Sequence, residues 1–174
     1  MQAEIKLKKY FKIKTMLMKR YFLYNDRVEI ILEDDRVFTV FLNQCSGRIY
    51  YRFKIGTLSD VKHPAIYLGV DIYGNNYYMH NHYQTEKPAI VIETEFTKGR
   101  PIYFYEETMN NNSTQIIQSG LDQVLSGEPY SWLNYNCQSF IHLAGNNQNK
   151  SEDVTKWFGR ALVGLFIVVI AKSI

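Results

Sequence analysis

What most constrains this chain is a succession of strand-length segments between Val28 and Glu106, each closed off by turn-forming residues. The pattern begins with Val28-Glu29-Ile30-Ile31-Leu32, continues through Arg36 to Leu42, and repeats from Arg48 to Ile55. Acidic Glu33-Asp34-Asp35 and polar Asn43-Gln44-Cys45-Ser46-Gly47 separate the runs, so these three segments predict an antiparallel meander. Two further strands are expected at Pro64 to Val70 and Asn76 to His80, joined across Asp71-Ile72-Tyr73-Gly74-Asn75, whose Gly and Asn suit positive φ. Pro88 to Glu95 and Arg100 to Glu106, with Thr97-Lys98-Gly99 between them, predict one more hairpin. The high tyrosine count, 14, agrees with a sheet-rich chain, because aromatic side chains pack well on a pleated surface.

The periodicity changes after Asn110-Asn111-Asn112-Ser113. Ile116, Ile117, Leu121, Val124 and Leu125 recur at helical spacing, with Ser113 as the expected cap and Gly127-Glu128-Pro129 as the stop. A second helix is predicted from Asn136 to Ala144, closed by Gly145-Asn146-Asn147. Ser151-Glu152-Asp153 then opens a last helix, in which Ala161 to Ala171 carries no polar side chain. That apolar stretch is shorter than the roughly 20 residues needed to span a bilayer. Flanking Arg160, Lys172 and Trp157 can extend its reach by snorkelling and interfacial anchoring, so membrane association and burial in a core or partner are both open.

A chain of 174 residues suits one core. Its net charge of +3 is small, yet Lys6, Lys8, Lys9, Lys12, Lys14, Lys19 and Arg20 crowd the start, which gives a basic arm open to two readings: a solvated, poorly ordered segment, or one that lies on anionic lipid or nucleic acid. No RNA-binding aromatic signature accompanies it, so a nucleic-acid partner is not predicted. The two cysteines, Cys45 and Cys137, are too few for a disulfide framework and are expected as thiols. The first thirty residues lack the continuous apolar run of a secretory signal, which predicts a cytoplasmic protein. No cofactor motif or zinc-ligand spacing is present.

Chemistry concentrates around Cys137. A cysteine nucleophile acts as thiolate and needs an imidazole to take its proton or a helix N-terminus to stabilise the sulfur. Cys137 falls at a predicted helix start, with Asn134 or Asn136 able to cap, whereas Cys45 lies in a loop between strands and reads as structural. Among the four histidines, His63 opens an apolar strand and His80 lies within the next one. His82 shares the face of His80 only if that strand continues. His142 is five residues past Cys137, about 500° around the helix, and so is turned away from the sulfur.

The segments His63-Pro64-Ala65-Ile66-Tyr67-Leu68-Gly69, Tyr77-Tyr78-Met79-His80 and Asn136-Cys137-Gln138-Ser139-Phe140-Ile141 together resemble the lecithin:retinol acyltransferase family of the NlpC-like papain superfamily. That family carries an H-x-x-I-Y-x-G strand, a second His on the next strand and an N-C-E-H-F block at a helix start. The resemblance runs from about Asp60 to Gly145. It implies Cys137 as nucleophile, His63 as base and His80 as the residue that orients the base, in the chain order of a circularly permuted papain core. Gln138-Ser139 stands where the family has Glu-His, and the strands before His63 have no counterpart in it.

The expected fold is therefore α+β: a permuted papain-like (NlpC-like) antiparallel sheet with packed helices, a strand-rich N-terminal extension and a hydrophobic C-terminal helix. The expected layout is a basic arm over residues 1–27, the main domain over 28–148 and the apolar helix over 149–174. The resemblance implies a thiol acyltransferase or phospholipase-like hydrolase acting on lipid esters, with a lipid or membrane surface as partner. Two alternatives accompany it: an NlpC-type amidase or peptidase cutting peptidoglycan or protein, and a non-catalytic interaction protein like the viral H-box/NC proteins.

Overall fold

The computed structural model describes residues 18–53, 62–82, 84–105, 109–148 and 151. The apolar stretch Ala161 to Ala171 and the lysines before residue 18 lie outside them. Among the described residues, eight strands form one antiparallel sheet: β1 (Met18–Leu23), β2 (Arg27–Leu32), β3 (Val37–Phe41), β4 (Ile49–Phe53), β5 (Lys62–Val70), β6 (Asn76–Asn81), β7 (Pro88–Ile92) and β8 (Tyr103–Phe104). Among the same residues, three helices accompany them: α1 (Glu93–Thr97), α2 (Ser113–Ser126) and α3 (Cys137–Asn146). The chain is thus α+β, as expected.

β5 organises the sheet. One of its edges pairs with β6, and the other carries β4 along residues 62 to 66 and β3 at Val70. β3 and β4 are therefore not a hairpin, contrary to the meander expected from Asn43 to Gly47. They lie end to end along β5, because the loop between them bonds to that strand: Gly47 donates to the Tyr67 carbonyl and Tyr67 to the Arg48 carbonyl, each at 2.9 Å. Gly69 sits where the register shifts in β5, and a side chain there would run into the backbone carbonyl of Phe41. Within the segment read as a basic arm, residues 18 to 23 form β1, paired with β2. Met18, Tyr21 and Leu23 turn to the core there, while Lys19 reaches Asp35 at 2.7 Å.

The two faces of the sheet are covered differently. Ile66, Leu68, Tyr77, Met79 and Ile90 share one core with Ile117, Leu121, Phe140 and Ile141 of α2 and α3. Gly120 permits the close approach of α2, since a Cβ there would come 2.8 Å from Met79 Cε. The opposite face carries Ala65, Tyr67, Tyr78, Ala89, Val91 and Phe96. The hairpin expected between Pro88 and Glu106 is replaced: the strand stops at Ile92, α1 follows, and β8 pairs with β4. As a strand, the segment would put Phe96 on the face of Ile90 and Ile92. The helical turn carries it to the other face, where it is fully buried and stacks on Tyr78 with ring centroids 4.8 Å apart.

Asp71 fixes the β5–β6 turn by accepting from the backbone of Tyr73 and Asn75, both at 2.9 Å, and from the Tyr77 hydroxyl at 3.1 Å, with Gly74 at φ 81°. Burial opposes ionisation of its carboxyl, but hydrogen bonds from Asn75, Tyr73 and Tyr77 hold it below the usual aspartate range. α2 is capped by Asn112 rather than Ser113: the Asn112 side chain accepts from the Gln115 backbone at 3.0 Å, and Gln115 reciprocates at 2.9 Å. Gly127, at φ 62°, ends the helix as expected.

Candidate functional site

His63 and His80 come together. They occupy the start of β5 and the end of β6, the open end of one hairpin, and both project from the face that carries Phe96. Nε2 of His63 lies 3.0 Å from Nδ1 of His80, a hydrogen bond in which one ring nitrogen donates and the other accepts. Both rings are buried, and His80 Nε2 has no hydrogen-bond partner among the described residues. Burial first, then the positive charge of His82, Arg52 and Lys98, pushes His80 down to about 3, so its imidazole is neutral at ordinary pH.

His82 belongs to the same cluster, stacked parallel on His80 at 5.8 Å and edge-on to His63 at 4.7 Å. β6 extends to Asn81, one residue beyond the expected His80, which keeps the alternation running and puts His82 on the face of His80. His82 is half-buried, whereas His63 and His80 are buried. Arg52, opposite His63 in the register of β4 and β5, braces α1 by donating from Nε to the Phe96 carbonyl at 2.5 Å. Among the described residues, no group of three or more His, Cys, Asp or Glu side chains has the geometry to hold a metal ion.

Cys137 is the first residue of α3 and is buried, at 2% exposure. Asn136 is the cap, accepting from the backbone N–H groups of Gln138 at 2.9 Å and Ser139 at 3.2 Å. Those two donors are thereby taken up by the cap oxygen. The Asn136 amide donates to the Trp132 carbonyl at 2.8 Å and to Ser151 Oγ at 2.9 Å, and Ser151 donates to Gln138 Oε1 at 3.0 Å. Tyr135, just before the cap, is held by its hydroxyl donating to Gln123 Oε1 at 2.9 Å, while Gln123 Nε2 donates to the Phe140 carbonyl at 3.2 Å. Gln123 and Gln138 have no signature in sequence, because polar groups at helical positions read as solvent-facing until tertiary structure buries them, and Ser151, expected to open a helix, is buried against Asn136 and Gln138.

The Cys-bearing segment reaches the same end of the β5–β6 hairpin as the imidazoles: Asn81, between His80 and His82, donates to the Tyr135 carbonyl at 3.1 Å. α3 itself packs with Ile66 and Met79 on the face opposite Phe96. The segment leading into Cys137 and the histidine pair therefore meet at one strand end, with α3 packed on one face of the sheet and the imidazoles projecting from the other. His142 is buried within α3, which fits a packing role, with Nδ1 3.5 Å from Asn146 Nδ2.

Cys45 is half-buried and lines a cleft of about 660 Å³ with Asn43, Tyr50, Tyr67, Tyr78 and Ile102. Neither Cys45 nor Cys137 is in a disulfide. No helix among the described residues is long and apolar enough to cross a membrane. No family model, curated protein or solved structure matches this chain.

Proposed function

We propose that the protein is a cysteine-dependent acyltransferase or hydrolase of lipid esters, built on a permuted papain-like arrangement. The observation that carries this reading is the buried His63–His80 hydrogen bond, at the strand end to which Asn81 ties the segment leading into Cys137. Sγ of Cys137 attacks the ester carbonyl while His63 takes the thiol proton. Collapse of the tetrahedral adduct breaks the ester C–O bond, and His63 returns the proton to the departing alkoxide. Water or an acceptor amine, deprotonated by His63, then releases the acyl group as acid or amide and regenerates the thiol. With Nε2 engaged by His80, His63 exchanges protons through Nδ1. A neutral His80 orients the ring without adding charge, the third-residue role of a nucleophile–base–orienter set. The apolar stretch from Ala161 to Ala171 supports a lipid-borne substrate.

The test is to incubate pure protein with phosphatidylcholine and look for an acyl adduct by intact mass. An adduct present in the wild type and absent in Cys137→Ala supports the reading. An adduct that persists in Cys137→Ala, or a wild type that never acquires one, overturns it.

A second reading, a catalytically silent interaction protein, is favoured by one observation: the histidine pair and α3 belong to opposite faces of the sheet. Full cellular function of Cys137→Ala would select it. Cleavage of muropeptides with no action on lipid would instead select an amidase.

A further inference from the structure

The connection from α2 to α3 ends in a tight loop, Ser131 to Tyr135, that runs straight into the Cys137 segment. Ser131 and Tyr135 close its base by exchanging both backbone hydrogen bonds, at 2.8 and 2.9 Å. The Asn134 N–H donates to Ser131 Oγ at 3.2 Å, and the Trp132 carbonyl accepts from the Asn136 amide at 2.8 Å. From outside the loop, Asn81 of β6 holds the Tyr135 carbonyl and the Glu86 carbonyl holds the Tyr130 N–H, the latter at 2.6 Å. The base is therefore fixed to the body of the protein.

The tip is apolar and turned outward: Trp132 is 45% exposed and Leu133 48%. Leaving two large apolar side chains in water forgoes burial that the fold uses elsewhere. They lie five and four residues before Cys137. No lysine or arginine occurs from Gly127 to Asn149, so this segment has no cation with which to attract an anionic surface. Ser151, ten residues before the apolar stretch Ala161 to Ala171, is bonded to Asn136 at the foot of the loop, so chain connectivity keeps that stretch within reach of it.

The size of the tip selects the occupant. A stable protein partner buries about 800 Å² on each side, far more than two side chains offer. A bilayer needs only a small apolar wedge, but it requires that backbone polar groups leaving water be paired. Here the amides and carbonyls of Ser131 and Tyr135, the Asn134 N–H and the Trp132 carbonyl already are. An indole, apolar with one N–H donor, suits the headgroup level. We propose that Trp132 and Leu133 are the tip by which the protein docks on a zwitterionic phospholipid bilayer, holding Cys137 at the lipid surface. The choice of lipid rests on the lipid-ester reading of Cys137, and the tip adds where the bilayer meets the protein.

Trp132 and Trp157 are the two tryptophans of the chain, so full-length Trp157→Phe leaves Trp132 as the sole indole reporter. This protein is mixed with phosphatidylcholine vesicles, plain or brominated on the acyl chains. Trp132 emission is expected to shift to the blue on plain vesicles and to be quenched on brominated ones, and to do so equally in about 0.5 M salt, because an uncharged tip is not screened. Leu133→Asp, at an exposed position, is expected to raise the lipid concentration for half-quenching about tenfold. Absence of bromine quenching, a blue shift without quenching, loss of quenching in salt, or quenching unchanged in Leu133→Asp overturns the proposal. Docking and acyl-adduct formation are separate readouts: quenching without an adduct overturns the catalytic reading alone, and an adduct without quenching overturns the tip alone.

Discussion

At the scale of single residues, His80 carries a pH dependence. Its folded-state value of about 3 lies below the 6.5 of a free imidazole, so the unfolded chain binds a proton that the folded chain refuses. The stability that follows is complete above pH 6.5 and is lost as pH falls from there toward 3, at up to about 1.4 kcal/mol per pH unit. Melting temperatures measured from pH 7 to pH 4 are expected to fall, and His80→Gln, which cannot titrate, should flatten the profile. An identical slope in the variant would assign the acid sensitivity elsewhere. The thiol has a counterpart measurement. Because Cys45 lines an open cleft, alkylation of Cys137 is best followed in a Cys45→Ser background, where a thiolate titrating below about 8.5 only when His63 is present would establish the pair.

At the scale of elements, the N-terminus of α3 depends on Asn136 in two ways. Its oxygen caps two backbone donors, and its amide ties the helix to Trp132 and Ser151. Asn136→Ala is expected to cost about 1–2 kcal/mol in denaturant unfolding. Asn136→Asp keeps the capping oxygen but loses the amide donor, so it should recover the cap and not the tie to Ser151. A variant as stable as the wild type would show the cap to be dispensable. α1 teaches a different lesson. Five residues form a helix that buries Phe96 against Tyr78, a tertiary contact that no local pattern announces.

At the scale of the whole molecule, β5 is the strand to which β3, β4 and β6 all attach, buried from His63 to Gly69. Its amides and those of β6 are expected to exchange last in native-state hydrogen exchange, through global opening, while β1 and β8 exchange earlier from the sheet edges. Early exchange across Ile66 and Leu68 would contradict that hierarchy. By itself, the sequence determined the α+β class, most strand positions, both long helices with their stops, and Cys137 at a capped helix start, since period, caps and turn residues act within a few positions of themselves. Only the tertiary structure decided which strands neighbour one another, that β3 and β4 share one edge of β5, that His82 joins the histidine cluster, and that Tyr50, Tyr67 and Tyr78 line one cleft. Strand partners and shared faces are set by burial and backbone bonding between segments far apart in the chain, and local periodicity contains neither.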